Sequence, residues 1–300
     1  MMRDIIIPVL SFALCNCVTD IAELEVEFCK KGTIVRATSF NIKNSIDKVL
    51  DPQDEWQTRR KHVHSVLSEI NSDIYAFQEV TEEQLEWLTE NLNGYSFEEQ
   101  LHENRWGTIA YDVVLAWKED RFYVRESGSF WTSENYDEVA VWAILRDRIT
   151  NKEYYVVNIH FSGPGKRRRE QFNLVKANIG QYLSRYPVIL MGDFNASPDP
   201  SPWEDDYVYP IIVNENFLVD GYKVLHPKTN ERSSCGWEEY CEQFGFDLRI
   251  DLVLHSSDFK PIYGEIYKSS LNGRNVSDHF PVVLDLTTDT DKDTIPACFW

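Results

Sequence analysis

An α/β fold follows from three features of the 300-residue chain. Twice, an apolar strand-like run gives way to a helix-periodic stretch and then to a second such run. Those runs end on acids, amides and a histidine, residue types that do chemistry. Between the two units lie shorter β-rich segments spaced like hairpins, which give each unit strands to complete a sheet.

Taken in order, residues 1–17 have a short polar start, an apolar run from Ile5 to Leu14, then Cys15 and Cys17, with Ala13 two residues before Cys15. This reads as an export signal, too short to span a bilayer, and places the mature protein in a secreted or lumenal setting. Residues 33–40 are β-rich and run into Asn41. From about Asp54 to Ile70 the apolar residues Trp56, Val63, Leu67 and Ile70 recur at helical spacing, while Arg59, Arg60 and Lys61 read as a basic face. His62 and His64 point in different directions and read as surface residues. Residues 73–79 form a second strand that ends on Glu79. Thr81 and Gln84 make a capping box for a short helix with Leu85, Leu88 and Leu92 on one side, closed near Gly94.

Residues 96–161 read as hairpins, the last strand carrying Asn158 and His160 on one face. A Gly-Pro-Gly loop follows, then Lys166, Arg167, Arg168 and Arg169 opening a helix with Phe172, Val175, Ile179 and Leu183 on one side. Cations there oppose the helix dipole, and beside His160 the pair Arg167 and Arg168 suits a substrate phosphate, as does Asn158. Residues 188–191 are a buried strand that Gly192 ends just before Asp193 and Asn195. A carboxylate and an amide two apart, on one side of an extended chain, suit taking a proton from water and holding an oxyanion. Residues 203–245 read as long surface loops. In residues 247–255 an acid, Asp251, interrupts an apolar strand and calls for a buried partner. Ser277, Asp278 and His279 open the last strand, and a polar tail runs from about residue 287.

The composition, 43% hydrophobic and 13% aromatic, supports one large domain over residues 18–300, expected to be a monomer. A net charge of -19 removes any broad basic footprint for polyanions but leaves room for a nuclease whose cations sit in its cleft or arrive with a metal. No later segment approaches membrane-spanning length, so no stable membrane insertion is expected. Cleavage after Cys15 or Cys17 leaves Cys29, Cys235, Cys241 and Cys298, with Cys17 added in the first case. Asn41 and His279 at one rim put the far ends of their strands at the other. A Cys29 to Cys298 disulfide joining the termini is therefore expected, and Cys235 and Cys241 could close a small loop; unpaired buried thiols are the competing reading. The sequons at Asn195 and Asn275 both adjoin the expected cleft, so Asn195 is expected to be unmodified.

Together, Ser39-Phe40-Asn41, Phe77-Gln78-Glu79, Val157-Asn158-Ile159-His160, Gly192-Asp193-Phe194-Asn195, Arg249-Ile250-Asp251 and Ser277-Asp278-His279 resemble the endonuclease/exonuclease/phosphatase superfamily, the deoxyribonuclease I-like fold. Each motif is weak alone; six in the family's order carry the resemblance. The segment 129–133 and the arginine run look like the family's secreted and bacterial branch. The resemblance implies a four-layered α-β-β-α sandwich of two mixed sheets. It also implies a Mg²⁺-dependent phosphodiesterase, with Mn²⁺ or Ca²⁺ as alternative ions and nucleic acid as the leading substrate. Asn41, Glu79 and Asp278 would hold the metal; Asp193 would be the base, Asn195 a phosphate donor, Asp251 and His279 an acid–histidine pair, and His160 a second histidine. The competing readings are a phosphomonoesterase or sphingomyelinase-like lipid phosphodiesterase, with Trp203, Tyr207, Tyr209 and Trp237 as rim aromatics, and a secreted protein that only holds a cation. Two positions depart from the family. The acid expected to support His160 aligns with Tyr111, one residue before Asp112, on the other face. Asp137 and Glu138 stand where nucleases tend to carry a basic residue.

Overall fold

The computed structural model describes residues 33–103, 109–134, 138–198, 208–213, 217–229, 231–234, 236–237 and 248–289. In chain order, β1 (Ile34–Asn41) leads through a one-turn 3-10 helix (Pro52–Asp54) to α1 (Trp56–Ile70), β2 (Ile74–Val80) and α2 (Glu82–Asn91). Then come β3 (Tyr95–Glu99), the small hairpin β4 (His102–Glu103) and β5 (Ile109–Ala110), β6 (Asp112–Lys118), β7 (Phe122–Trp131), β8 (Val139–Asp147) and β9 (Glu153–His160). The second half holds α3 (Gly165–Gly180), β10 (Val188–Asp193), α4 (Tyr209–Ile212), β11 (Val219–Asp220), α5 (Gly221–Leu225) and β12 (Asp251–His255). It closes with β13 (Lys260–Ile266), β14 (Ser270–Leu271), β15 (Arg274–Asn275) and β16 (Val282–Thr287).

Two six-stranded sheets result, ordered β13-β16-β1-β2-β6-β3 and β11-β12-β10-β9-β8-β7. Each contains one parallel join, β1 with β2 and β9 with β10, made by the two strand-helix-strand units; the other pairings are antiparallel. The apolar residues divide into three cores, as four layers require. Val35, Ala37, Ile74 and Leu115 of one sheet meet Val141, Ala143, Ile189 and Val253 of the other. Val63, Leu67, Leu85 and Leu88 of α1 and α2 cover the outer face of the first sheet. Phe172, Val175 and Ile179 of α3 cover that of the second. The expected sandwich is thus the observed one.

Parallel joins and antiparallel neighbours put the carboxyl ends of β1, β2, β9 and β10 at one rim, with the starts of β6, β12 and β16 beside them. Within the second sheet Asp193 lies directly across from both His160 and Asp251. Gly192 makes that approach possible. Its φ is +152, and a Cβ there would stand 2.1 Å from the Ile159 carbonyl oxygen, so only glycine lets β10 lie this close to β9.

Several local expectations change. Asp251 opens β12 rather than interrupting a strand. The region expected to be surface loops contributes α4, β11 and α5, with Val208, Ile212, Leu218 and Tyr222 buried against the sheets. Arg59 is not on a solvated basic face but is only 4% exposed. The capping box is present, with Gln84 Oε1 accepting from the Thr81 backbone at 3.0 Å. His62 and His64 meet Ser269 Oγ and the Asn91 carbonyl. The export segment, all six cysteines, Asp137, the rim aromatics Trp203 and Tyr207, and most of the polar tail lie outside the described residues. No helix among the described residues is long and apolar enough to cross a membrane.

Candidate active site

The rim gathers residues from both sheets around Asp193, which is 1% exposed. Its Oδ1 accepts the Asn195 backbone N–H at 2.9 Å, and its Oδ2 accepts from Asn41 Nδ2 at 3.2 Å. His160 Nε2 is 3.7 Å and His279 Nδ1 3.8 Å from the same Oδ2. Each imidazole is oriented by an acid of its own. His279 Nδ1 donates to Asp251 Oδ2 at 2.8 Å, and His160 Nδ1 donates to Asp112 Oδ1 at 3.0 Å. In both rings Nε2 is the nitrogen not committed to the supporting acid, which fixes the tautomer.

Asp112 is therefore the partner of His160, although strand alternation assigns it to the wrong face. The backbone is reset twice there. Glu79 and Asp112 both adopt left-handed φ values, 59 and 53, and the β2–β6 register shifts between Phe77 and Val80. A residue off the strand path turns its side chain to the opposite face. Left-handed backbone at acids of this size costs about 1–3 kcal/mol each, and such strain gathers at functional sites.

Glu79, at the end of β2, is held from several sides. Oε1 accepts from Asn41 Nδ2 at 3.0 Å; Oε2 accepts from Lys43 Nζ at 3.0 Å and Asn44 Nδ2 at 2.6 Å. Burial alone would raise its pKa, but Lys43 first, then His160, the Asn41 hydrogen bond and His279, outweigh burial and hold the group well below the usual carboxylate range. Burial, then the Asp251 charge, push Asp193 up to about 6, against the pull of His279, His160 and the Asn195 N–H. Burial disfavours charge on His160, but the charge and hydrogen bond of Asp112, then Asp193 and Glu79, raise it to about 10. His279 is likewise depressed by burial and raised, on balance, well above its ordinary value by Asp251, Asp193 and Asp278. The rim thus presents two charged imidazoles beside a carboxylate of raised basicity.

Asn41, Glu79 and Asp278 offer oxygen donors. The Asn41 amide is turned so that Nδ2 faces Glu79 and Oδ1 accepts the Lys43 backbone N–H at 3.0 Å; presenting its oxygen to an ion requires that amide to rotate. Asp278 is raised first by burial and also by the Glu79 charge, against the opposing pull of His279. Two carboxylates near each other at a part-buried rim are the donor chemistry that a hard divalent cation satisfies. Both Glu79 oxygens already accept hydrogen bonds, Oε2 from Lys43 and Asn44 and Oε1 from Asn41 alone, so Oε1 is the atom that the smaller rearrangement would free. Asp193, Asp251 and His279 also bring ligand atoms within 4.8 Å of one another. There the Asp251–His279 hydrogen bond already occupies the facing atoms.

Three expected phosphate contacts have other roles. Asn158 is fully buried: Nδ2 donates to the Phe77 and Val114 carbonyls at 2.7 and 2.9 Å, and Oδ1 accepts from Gln78 Nε2 at 2.7 Å. Its face is that of His160, but one pleat deeper, between the sheets. Arg167 pairs with Glu138 at 3.1 Å, and Arg168 donates to the Gly163 carbonyl. Glu138 also accepts from Ser162 Oγ and Gln171 Nε2, so its buried carboxylate organises the loop after His160. Asn195 spends one amide hydrogen on the Phe161 carbonyl at 2.7 Å, which leaves the other for a ligand. The Asn275 amide, where a glycan would attach, donates to the Gly236 carbonyl at 3.0 Å. Lys43, Asn44 and Gln78 were not anticipated as site residues, although Gln78 in an apolar strand calls for a partner in the same way as Asp251.

A model of the Endonuclease/Exonuclease/phosphatase family matches residues 38–279. Among solved structures, a mannosyl-6-phosphatase from Bacteroides thetaiotaomicron is 24% identical, with a TM-score of 0.71 over 84% of this chain and 99% of that one. Among curated proteins, Protein angel of Drosophila melanogaster is 24% identical over 187 residues, 57% of this chain and 51% of its own. Carbon catabolite repressor protein 4 homolog 3 of Arabidopsis thaliana is 29% identical over 157 residues, 49% of this chain and 34% of its own. The chain therefore spans about half, or less, of these curated relatives.

Proposed function

Because the chain belongs to the Endonuclease/Exonuclease/phosphatase family, we propose that it is a divalent-metal-dependent phosphoester hydrolase acting by in-line attack of water. The observation behind this is the convergence of two acid-supported imidazoles on the single carboxylate of Asp193. In this reading Asp193 takes the proton of the attacking water. The Nε2–H group of His279 faces a phosphoryl oxygen, and Asn195 donates to another. His160, raised to about 10, gives its Nε2 proton to the departing oxygen. The 3.7 Å gap between His160 Nε2 and Asp193 Oδ2 then lets the proton taken from water return to the imidazole, which resets both groups. Asn41, Glu79 and Asp278 would hold Mg²⁺. When bound, the ion polarises the phosphoryl oxygen and offsets charge growing in the transition state.

The acid that the His160–Asp112 pair supplies suits an ester with an alkoxide leaving group, whether a phosphodiester or an alkyl phosphomonoester. A short substrate is favoured over a long polynucleotide, because Arg167 and Arg168 are turned onto Glu138 and Gly163 and the net charge is -19. The phosphosugar in the name of the Bacteroides relative is consistent with a compact ester.

The test is hydrolysis of a panel by the purified chain: single- and double-stranded DNA, RNA, sphingomyelin, phosphosugars, inositol phosphates and an aryl phosphodiester. Each is run with Mg²⁺, with EDTA and with His279→Ala. Metal-dependent cleavage of one class, lost in the variant, is expected. A folded protein that binds the ion and hydrolyses nothing overturns the enzyme reading in favour of a cation-holding binding protein.

A further inference from the structure

Arg59 sits in the first turn of α1, where a cation opposes the helix dipole. It is 4% exposed, and no carboxylate among the described residues accepts a hydrogen bond from it. Burial lowers its pKa to about 10 despite Asp278, Glu79 and Asp54 nearby. A buried cation without a bonded acid is costly, so its partners matter. They are four backbone carbonyls on three chain segments. Nε donates to Asp54 at 3.0 Å, Nη1 to Ile42 at 2.5 Å and Val276 at 3.1 Å, and Nη2 to Lys43. The rings of Trp56 and Trp237 lie against the guanidinium, each centroid 5.1 Å from Cζ.

Three of those carbonyls flank the proposed metal ligands. Ile42 and Lys43 directly follow Asn41, and Lys43 Nζ rests on Glu79; Val276 is two residues before Asp278. Ser277 Oγ adds one further tie, to the Asn41 carbonyl at 2.8 Å. We propose that Arg59 is the positioning residue of the cation site: its planar fork sets the spacing between the Asn41 and Glu79 side and the Asp278 side. Lysine does not replace it, since an ammonium on a flexible stem donates from one point while the four carbonyls surround a plane.

The inference rests on the proposed metal-dependent reading, and its test separates the two. Mg²⁺ affinity is measured by titration calorimetry for the native chain, Glu79→Gln, Arg59→Met, Arg59→Lys and Arg59→Ala, with far-UV circular dichroism and melting on each. Misplaced ligands predict Mg²⁺ binding weaker by about tenfold or more in Arg59→Met and Arg59→Lys, as losses of metal-orienting groups commonly produce. At saturating Mg²⁺ the substrate KM is expected to stay near native while kcat partly recovers. Low-millimolar methylguanidinium, seated between the two indoles, is expected to restore Mg²⁺ affinity to Arg59→Ala and leave the native chain unchanged. A folded Arg59→Met that keeps native Mg²⁺ affinity overturns the proposal; if it does not fold, Arg59→Lys decides by the same criterion. If the native chain itself binds no Mg²⁺, the metal-dependent reading and the proposal fall together. If it binds and Glu79→Gln abolishes binding, the reading stands whatever Arg59 does.

Discussion

Replacing Asp112 with asparagine tests the His160 pair without changing its shape. The charge and hydrogen bond of Asp112 are the largest influences raising His160, which is otherwise lowered by burial. Asparagine keeps the volume and removes the charge, so the imidazole is expected to fall from about 10 to near its ordinary 6.5. At pH 8 a native ring is then about 99% charged and a variant ring about 3%, which predicts a loss of roughly thirtyfold in kcat/KM for a step that needs the imidazolium. Below about pH 5.5 both rings are charged and the difference should nearly vanish. The assay is the pH profile of kcat/KM on an aryl phosphodiester from pH 5 to 10 for the native chain, Asp112→Asn and His160→Gln. The alkaline limb is expected to move down by about three and a half pH units in Asp112→Asn, while His160→Gln loses activity at every pH. The sign for stability is the same. A raised histidine contributes stability in full below about 6.5 and loses it as pH rises through about 10, so the deficit of Asp112→Asn should shrink over that window. A profile for Asp112→Asn that overlies the native one up to pH 9 would refute the role given to the pair.

The other predictions concern the rim and the layer beneath it. Asp251→Asn should lower kcat by about 10²-fold or more with little change in KM, because it removes the acid that orients His279; steady-state kinetics at saturating Mg²⁺ decide. Gly192→Ala must displace Ile159 or β10, and should cost about 2 kcal/mol or more with loss of turnover; a variant melting like the native chain contradicts the close approach. Asn158→Leu removes the acceptor of one Gln78 bond, though Gln78 keeps the Ala76 carbonyl, and the donor to two carbonyls between the sheets; it should cost about 3 kcal/mol by urea unfolding, whereas a phosphate-contact role predicts a raised KM and native stability.

What the sequence revealed and what it did not divide along a physical line. Asn41, Glu79, His160, Asp193, Asp251 and His279 stand at strand ends, and a strand end is a local signal: an apolar run, a break, a polar group. Their convergence follows from two parallel joins, which the two strand-helix-strand units announce. Alternation failed where the backbone leaves the ideal strand. Glu79 and Asp112 are left-handed, and nothing in the residue types warns of it. It also says which face a residue takes but not how deep, so Asn158 and His160 read as equals although one lies between the sheets and the other at the rim. Arg59 was legible and misread. Three residues after Trp56 and four before Val63, it lies on the apolar face of α1, but its neighbours Arg60 and Lys61 drew it into a basic cluster.

The rim is shared between two separately hydrogen-bonded sheets. Asn41, Glu79 and Asp112 ride on one, and His160, Asp193 and Asp251 on the other. Neither sheet alone holds a complete acid–histidine pair with its carboxylate and its cation ligands. Competence therefore requires the docking of one sheet on the other, which the Gln78–Asn158 amide pair bridges at 2.7 Å. A half-folded chain would be chemically silent. The proposed ion ligands Asn41 and Glu79 belong to one sheet, and Asp278 lies just ahead of β16 in that same sheet, so an ion there would favour that sheet's folded form. Metal concentration would then act on the folding equilibrium as well as on the rate.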